Sequence, residues 1–239
     1  MITATTHKLD IEQHRYPPAP SQQRLFREQG YAMMKNVLDK RTLDILASYA
    51  MLQRCEAGRY DRDSDRSALG IYADTMGESL LLHLQPAVEA ATGLTLFPCY
   101  SYLRIYGPDG NLRRHTDRPP AEIQSTLTIA GKAPDIWPLF IEVEGQTIPL
   151  QVGPGDLAIF RGFDIPHWRD KFNGEFWIQL ILNYVNAHGD YASFRFDRRK
   201  RIGPPEDRAA LKKPVANDAP CPCGSGDTYI NCHGQKARY

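Results

Sequence analysis

From residue 96 onward the chain breaks into short apolar runs separated by turn residues, and this texture constrains its fold more than any other feature. Candidate strands are 101–106, 125–130, 139–143, 147–152, 156–160 and 176–185. Pro108-Asp109-Gly110, Gly131, Gly145, Pro154-Gly155 and Asn173-Gly174 punctuate them. Many short strands at this spacing bury one face each only by closing on one another, which predicts a sandwich or open barrel of the jelly-roll class.

Upstream, the pattern turns helical. Ser21 is placed to cap a short helix ending at Gly30, and Tyr31–Val37 reads as a strand. A helix follows Asp39, with Leu43, Leu46, Ala47 and Ala50 on one face. Residues 57–69 read as a charged loop, and a helical stretch from Thr75, interrupted at Pro86, closes at Gly93. The predicted architecture is α+β: a strand-rich core with N-terminal helices packed on it and a small C-terminal module. The divisions are a polar tail (1–20), a helical support region (21–95), the barrel core (96–190), a basic proline-bearing linker (191–219) and a cysteine cluster (220–239).

Composition removes several function classes. Lys and Arg number 29 against 28 acidic residues, without the basic excess that binds nucleic acid or a membrane surface. The run Arg195–Arg201 accordingly reads as a solvated charge face rather than an RNA contact. No apolar run approaches the roughly 20 residues that span a bilayer. The first residues lack the order of a secretion signal, and five cysteines are too few for a disulfide scaffold. A soluble cytoplasmic protein is expected.

His115-Thr116-Asp117 is the first motif with chemical meaning. On an extended segment, residues two apart point to one side, so a strand end aims both groups at one ion. His167 follows the apolar run Leu157–Phe160 and supplies a second imidazole from another strand. Two imidazoles and one carboxylate on one face of an octahedral ion leave three positions open, the ligand set of non-haem Fe(II).

Around these residues the sequence resembles the Fe(II)/2-oxoglutarate-dependent oxygenases, in their prolyl-hydroxylase-like branch. The resemblance covers about residues 22–187 and is carried by Tyr102–Pro108, His115-Thr116-Asp117-Arg118-Pro119, Trp137-Pro138-Leu139, Gly153–Asp156 and His167-Trp168-Arg169. It implies a double-stranded β-helix core. The activity implied is oxidative decarboxylation of 2-oxoglutarate to succinate and CO2, coupled through O2 to hydroxylation of a second substrate, such as a protein side chain. The chain departs from the family in one respect: the last strand carries Glu175-Phe176-Trp177-Ile178-Gln179 where a basic residue commonly grips the far carboxylate. Arg169, two past His167, is the first replacement, and Arg104 the second. Tyr102, Tyr106 and Gln179 are further pocket candidates, and Arg118, Arg114 and Trp137 are candidates for the substrate mouth.

The tail holds a second metal motif. Cys221, Cys223, Cys232 and His233 form a complete tetrahedral set for structural Zn(II). The segment is similar to the SEC-C motif at the end of the bacterial preprotein-translocase ATPase, which implies docking of a protein partner through residues 220–234. The intervening loop carries Asp227 and Ile230 where that motif has lysines. Cys55 and Cys99 have no metal spacing and are expected to be buried thiols. A second function class is a barrel that binds metal without turnover and docks a partner through its zinc knuckle.

Overall fold

Among the described residues, three α-helices interspersed with the first strands brace the sheets. In the computed structural model, which describes residues 16–17, 19–55, 61–62, 68–205, 218 and 228, α1 spans Pro20–Gln29 and ends on left-handed Gly30. Ser21 lies inside α1 rather than capping it; Ala19 holds the cap position without a side-chain bond. Helix α2 (Lys40–Arg54) starts at Asp39, whose carboxylate accepts from the Thr42 N–H, and buries Leu43, Leu46 and Ala50. Helix α3 (Thr75–Thr92) runs unbroken through Pro86. The proline removes one backbone donor, but Leu84, Ala87 and Val88 around it are buried and hold the helix to the core. No helix among the described residues is long and apolar enough to cross a membrane.

The strands form two antiparallel sheets. The larger contains β1 (Tyr31–Met34), β2 (Asp61–Arg62), β3 (Ala68–Tyr72), β4 (Leu96–Tyr106), β6 (Ile123–Lys132), β9 (Leu157–Phe160) and β11 (Phe176–Asn186), in the order β1-β9-β6-β11-β4-β3-β2. The smaller contains β5 (Leu112–His115), β7 (Leu139–Val143), β8 (Gln146–Leu150) and β10 (His167–Arg169), in the order β5-β10-β7-β8. Facing sheets with N-terminal helices packed on the larger one make a double-stranded β-helix, as the strand texture predicts. The strand read at 31–37 is β1, which pairs with β9, whereas β3, which begins at the end of the stretch read as a charged loop, extends the larger sheet by pairing with β4.

Period-two alternation in β4, β6 and β11 sends one face of the larger sheet to the hydrophobic core under α3 and the other toward the smaller sheet. The core face carries Leu103, Ile105, Leu127, Ile129, Ile178, Leu180 and Leu182, all buried with Leu81, Leu84 and Val88 of α3. The opposite face carries polar and aromatic residues in register. Tyr106 pairs with Trp177, Arg104 with Gln179, Tyr102 with Ile181, and Tyr100 with Asn183. Gln179, Ile181 and Asn183 in turn oppose Thr128, Thr126 and Gln124. These rows form the floor of a cavity.

Beyond β11 the chain does not leave the core at once. Residues 192–198 form a short irregular 3-10 segment against β4, and Arg199 reaches buried Glu78 of α3 at 2.9 Å and the Cys99 carbonyl at 2.7 Å. The segment at 191–203, which its composition reads as linker, is therefore a strap on the barrel in the described residues. Arg199 is held by specific acceptors, while Arg195 and Arg198 lie over the rings of Phe97 and Phe194.

Candidate active site

β5 and β10 are neighbours, and their register sets His167 opposite His115. The two rings lie 4.3 Å apart between centroids. Asp117 stands between them, with Oδ1 3.5 Å from His115 Nε2 and Oδ2 3.7 Å from His167 Nε2. The far ring nitrogens are fixed by main-chain carbonyls: His115 Nδ1 sits 2.7 Å from Arg113 O and His167 Nδ1 3.0 Å from Ile165 O. A carbonyl accepts only from N–H, so both Nε2 lone pairs are left for the centre, as in histidines oriented to bind a metal.

The electrostatics agree. Burial, reinforced by His115, pushes His167 down to about 4, so it is neutral at pH 7. Burial also opposes the charged forms of His115 and Asp117. For His115 the Asp117 carboxylate outweighs it and the imidazole is raised; for Asp117 the two histidines and Arg104 outweigh it and the carboxyl is lowered. Asp117 Oδ2 is buried and accepts no hydrogen bond among the described residues. Three ligand atoms within 4.8 Å of one another, one of them an orphaned carboxylate oxygen, fit a divalent cation. The sequence gives no warning of Gly162, whose carbonyl accepts the Asp117 N–H at 2.8 Å. A Cβ there would stand 2.7 Å from Asp117 Oδ2, so only glycine lets the backbone approach this closely.

The triad opens into a cavity of about 330 Å³ lined by three guanidiniums, Arg104, Arg118 and Arg169, and by one carboxylate, Asp117. Arg169 is 2% exposed and closes the end near Trp177 and Tyr106. It donates to the Trp137 carbonyl and to Gln179 Oε1 at 2.9 Å, and lies 4.7 Å over the Trp137 ring. Burial lowers its guanidinium to about 10, which still leaves it charged at neutral pH. No carboxylate pairs with it among the described residues. Gln179 stands on the last strand where the resembled family commonly has a base, and here it holds the arginine delivered by β10. Its amide is otherwise used by Trp177, Thr128 and Thr126.

Arg104, Tyr102, Tyr106, Gln179 and Arg118 all line the cavity. Arg104 donates to the Tyr106 hydroxyl at 3.1 Å. Two expected mouth residues lie elsewhere. Trp137 is buried beneath Arg169, because its indole N–H is tied to Asp170 O and its ring packs on Tyr106 and Phe172. Arg114 points outward on β5, pairing with Glu142 at 2.8 Å beside Trp168. Strand alternation explains it: Arg114 has the opposite parity to His115. Cys99 is buried as expected, whereas Cys55 at the end of α2 is exposed. Tyr72, Tyr100, Gln124 and Asn183 also line the cavity, and no motif singles them out in the sequence. The zinc-ligand candidates Cys221, Cys223, Cys232 and His233 lie outside the described residues.

Comparison with known proteins places the fold. The chain is similar to a Pseudomonas putida prolyl-4-hydroxylase (16% identity, TM-score 0.56, covering 70% of this chain and 97% of that one). It is also similar to SnoK, a non-haem α-ketoglutarate-dependent carbocyclase of nogalamycin biosynthesis (12%, 0.61, 79% and 93%). A third match is HygX from Streptomyces hygroscopicus, solved with nickel and 2-oxoglutarate bound (12%, 0.54, 71% and 88%). At these identities the likeness is one of fold: the chain has the double-stranded β-helix found in 2-oxoglutarate/Fe(II) oxygenases. The family model described as the SEC-C motif matches residues 219–235, so the chain carries that motif at its C-terminal end. No curated protein matches the sequence.

Proposed function

We propose that the chain is an Fe(II)- and 2-oxoglutarate-dependent oxygenase of the hydroxylase type, with succinate and CO2 as co-products. His115 and His167 would hold the ion through Nε2 and Asp117 through its carboxylate. The ion, when bound, supplies oxygen activation and a binding point for the keto-acid end of the co-substrate. The protein's own residues do the rest. The carbonyls of Arg113 and Ile165 fix both imidazole tautomers, the Gly162 carbonyl anchors Asp117, and the aromatic and aliphatic walls exclude water.

The observation that carries the reading is Arg169, a buried guanidinium with amide and carbonyl partners but no carboxylate, in the same cavity as the triad. A buried charge without a counter-ion is costly, and the far carboxylate of 2-oxoglutarate would answer it in a bidentate pair. A barrel that merely stored metal would have no use for this cation, which counts against the non-catalytic alternative. The HygX neighbour binds 2-oxoglutarate in the same fold, which supports the assignment. We further assign Cys221, Cys223, Cys232 and His233 to structural zinc, residues 220–234 to partner docking, and the protein to the cytoplasm. Anaerobic reconstitution with Fe(II) should produce a visible absorption band on adding 2-oxoglutarate, and air should then yield succinate. Absence of both would overturn the proposal.

A further inference from the structure

Arg118 directly follows the metal-ligand candidate Asp117 and lines the cavity at the end opposite Arg169. Its guanidinium lies 4.4 Å over the Tyr100 ring and forks onto Asp197 of the strap at 2.7 and 2.6 Å. The Tyr72 hydroxyl donates to the same carboxylate at 2.5 Å. Burial alone would raise the Asp197 carboxyl, but Arg118 outweighs it and holds it below the ordinary range. Burial keeps the Tyr72 and Tyr100 phenols protonated. This end of the cavity therefore has an ion pair and two neutral hydroxyls, with no net charge. The strap that delivers Asp197 is held in an unusual shape, with Phe196, Asp197 and Arg198 all at positive φ (57°, 53° and 59°). Such a conformation persists only where its contacts over-determine it.

A guanidinium has five N–H groups, and the fork to Asp197 uses two. Across the cavity floor Gln124 and Asn183 are paired in register. Gln124 Oε1 and Asn183 Oδ1 are buried and accept no hydrogen bond among the described residues. Asn183 Nδ2 donates to the Tyr100 carbonyl at 3.3 Å, which fixes its Oδ1 as an acceptor, while Gln124 asks for a polar partner in either amide orientation. Donors on one side and unanswered amide groups on the other, with flat tyrosine faces between, match a group that carries both C=O and N–H in one plane. A carboxylate would bring acceptors only, and a second negative charge beside Asp197.

Resting on the function proposed above, we propose that this end is the subsite of the primary substrate, and that Asp197 determines its specificity. By cancelling the charge of Arg118, Asp197 admits a neutral carboxamide-type group and refuses a carboxylate. Arg118 is then a fixed hydrogen-bond donor, and Asp197 acts through it.

Benzamide and benzoate, alike in shape and different in charge, test the idea by calorimetry on the full chain loaded with nickel and 2-oxoglutarate. The wild type should bind benzamide about tenfold or more tighter than benzoate, and Asp197→Asn should reverse the order by a similar factor. Arg118→Gln should lose benzamide without gaining benzoate. Equal binding of both, preference for benzoate, or binding of neither by the wild type overturns the proposal, as does an unmoved ratio in a folded Asp197→Asn chain. Should that variant unfold, Arg118→Gln decides: unchanged benzamide binding overturns it. The 2-oxoglutarate titration that loads the site tests the parent function separately. If 2-oxoglutarate fails to bind, the benzamide-to-benzoate ratio is read on an Arg169→Met chain, where the other anion receptor is gone.

Discussion

Arg169 and Arg118 are the same residue type in the same cavity, each over an aromatic ring, at 4.7 Å from Trp137 and 4.4 Å from Tyr100. Arg169 is held by an amide oxygen and a carbonyl, whereas Arg118 is held by a carboxylate. The first keeps its charge for a ligand; the second has spent it within the chain. Stacking does not distinguish the two ends of the site, and the lower exposure of Arg169, 2% against 34% for the Arg118 side chain, does not say which charge is free. What does is the partner's charge, and that partner comes from a distant segment in both cases.

The sharpest test of the contrast removes what both ends serve. His167→Ala should lower iron affinity and succinate formation by more than about a hundredfold, since even losing an outer partner of a metal ligand costs ten- to a hundredfold. Metal analysis beside a succinate assay reads it, and near wild-type values would dissolve the common centre. Next, Arg169→Met should raise the 2-oxoglutarate requirement by about a hundredfold, the scale of a lost buried charge pair. Its folding stability should change by less than about 1 kcal/mol, because Gln179 keeps its other donors and an unpaired buried cation is gone. Arg118→Met should behave oppositely. Chemical denaturation should show a loss of about 2 kcal/mol, because Asp197 is left without its counter-ion, while the 2-oxoglutarate requirement moves little. If the two variants shift the same quantity, the division of labour is wrong.

The smallest effect is one of pH. The folded carboxyl of Asp197 is lowered, so its contribution to stability is present above the unfolded value near 3.9 and is lost as pH falls from there through the folded value. Urea midpoints between pH 5 and pH 2.5 should therefore fall more steeply in the wild type than in Asp197→Asn. Parallel curves would mean that the pair contributes nothing to stability.

Much of the centre is legible in the sequence, because the chemistry is local. His115 and Asp117 are two apart on an extended segment, and His167 follows an apolar strand. The long strands of the barrel show their alternation openly. β5 and β10 do not: Leu112-Arg113-Arg114-His115 and His167-Trp168-Arg169 are too short and polar to signal a strand, and they exist because neighbours pair with them. The strap is hidden for a related reason. Its basic, apolar-poor residues look like a solvated linker until Glu78, far back in α3, and Arg118 supply the charges they meet. Gly162, Gln124 and Asn183 act through contacts made only on folding, and no short-range pattern marks them.

The strand order carries a kinetic consequence. β11, the last strand among the described residues, lies in the middle of the larger sheet, between β6 and β4. Until it arrives, those two strands present unpaired inner edges, and their joint apolar face under α3 is divided. β1 likewise waits for β9, well over a hundred residues later in the chain. Such non-local pairing makes folding slow, and unpaired edges invite association with other chains. A nascent chain halted before Phe176 would thus be a poor folder with all three iron-ligand candidates already synthesised, exposed to aggregation until β11 closes the sheet.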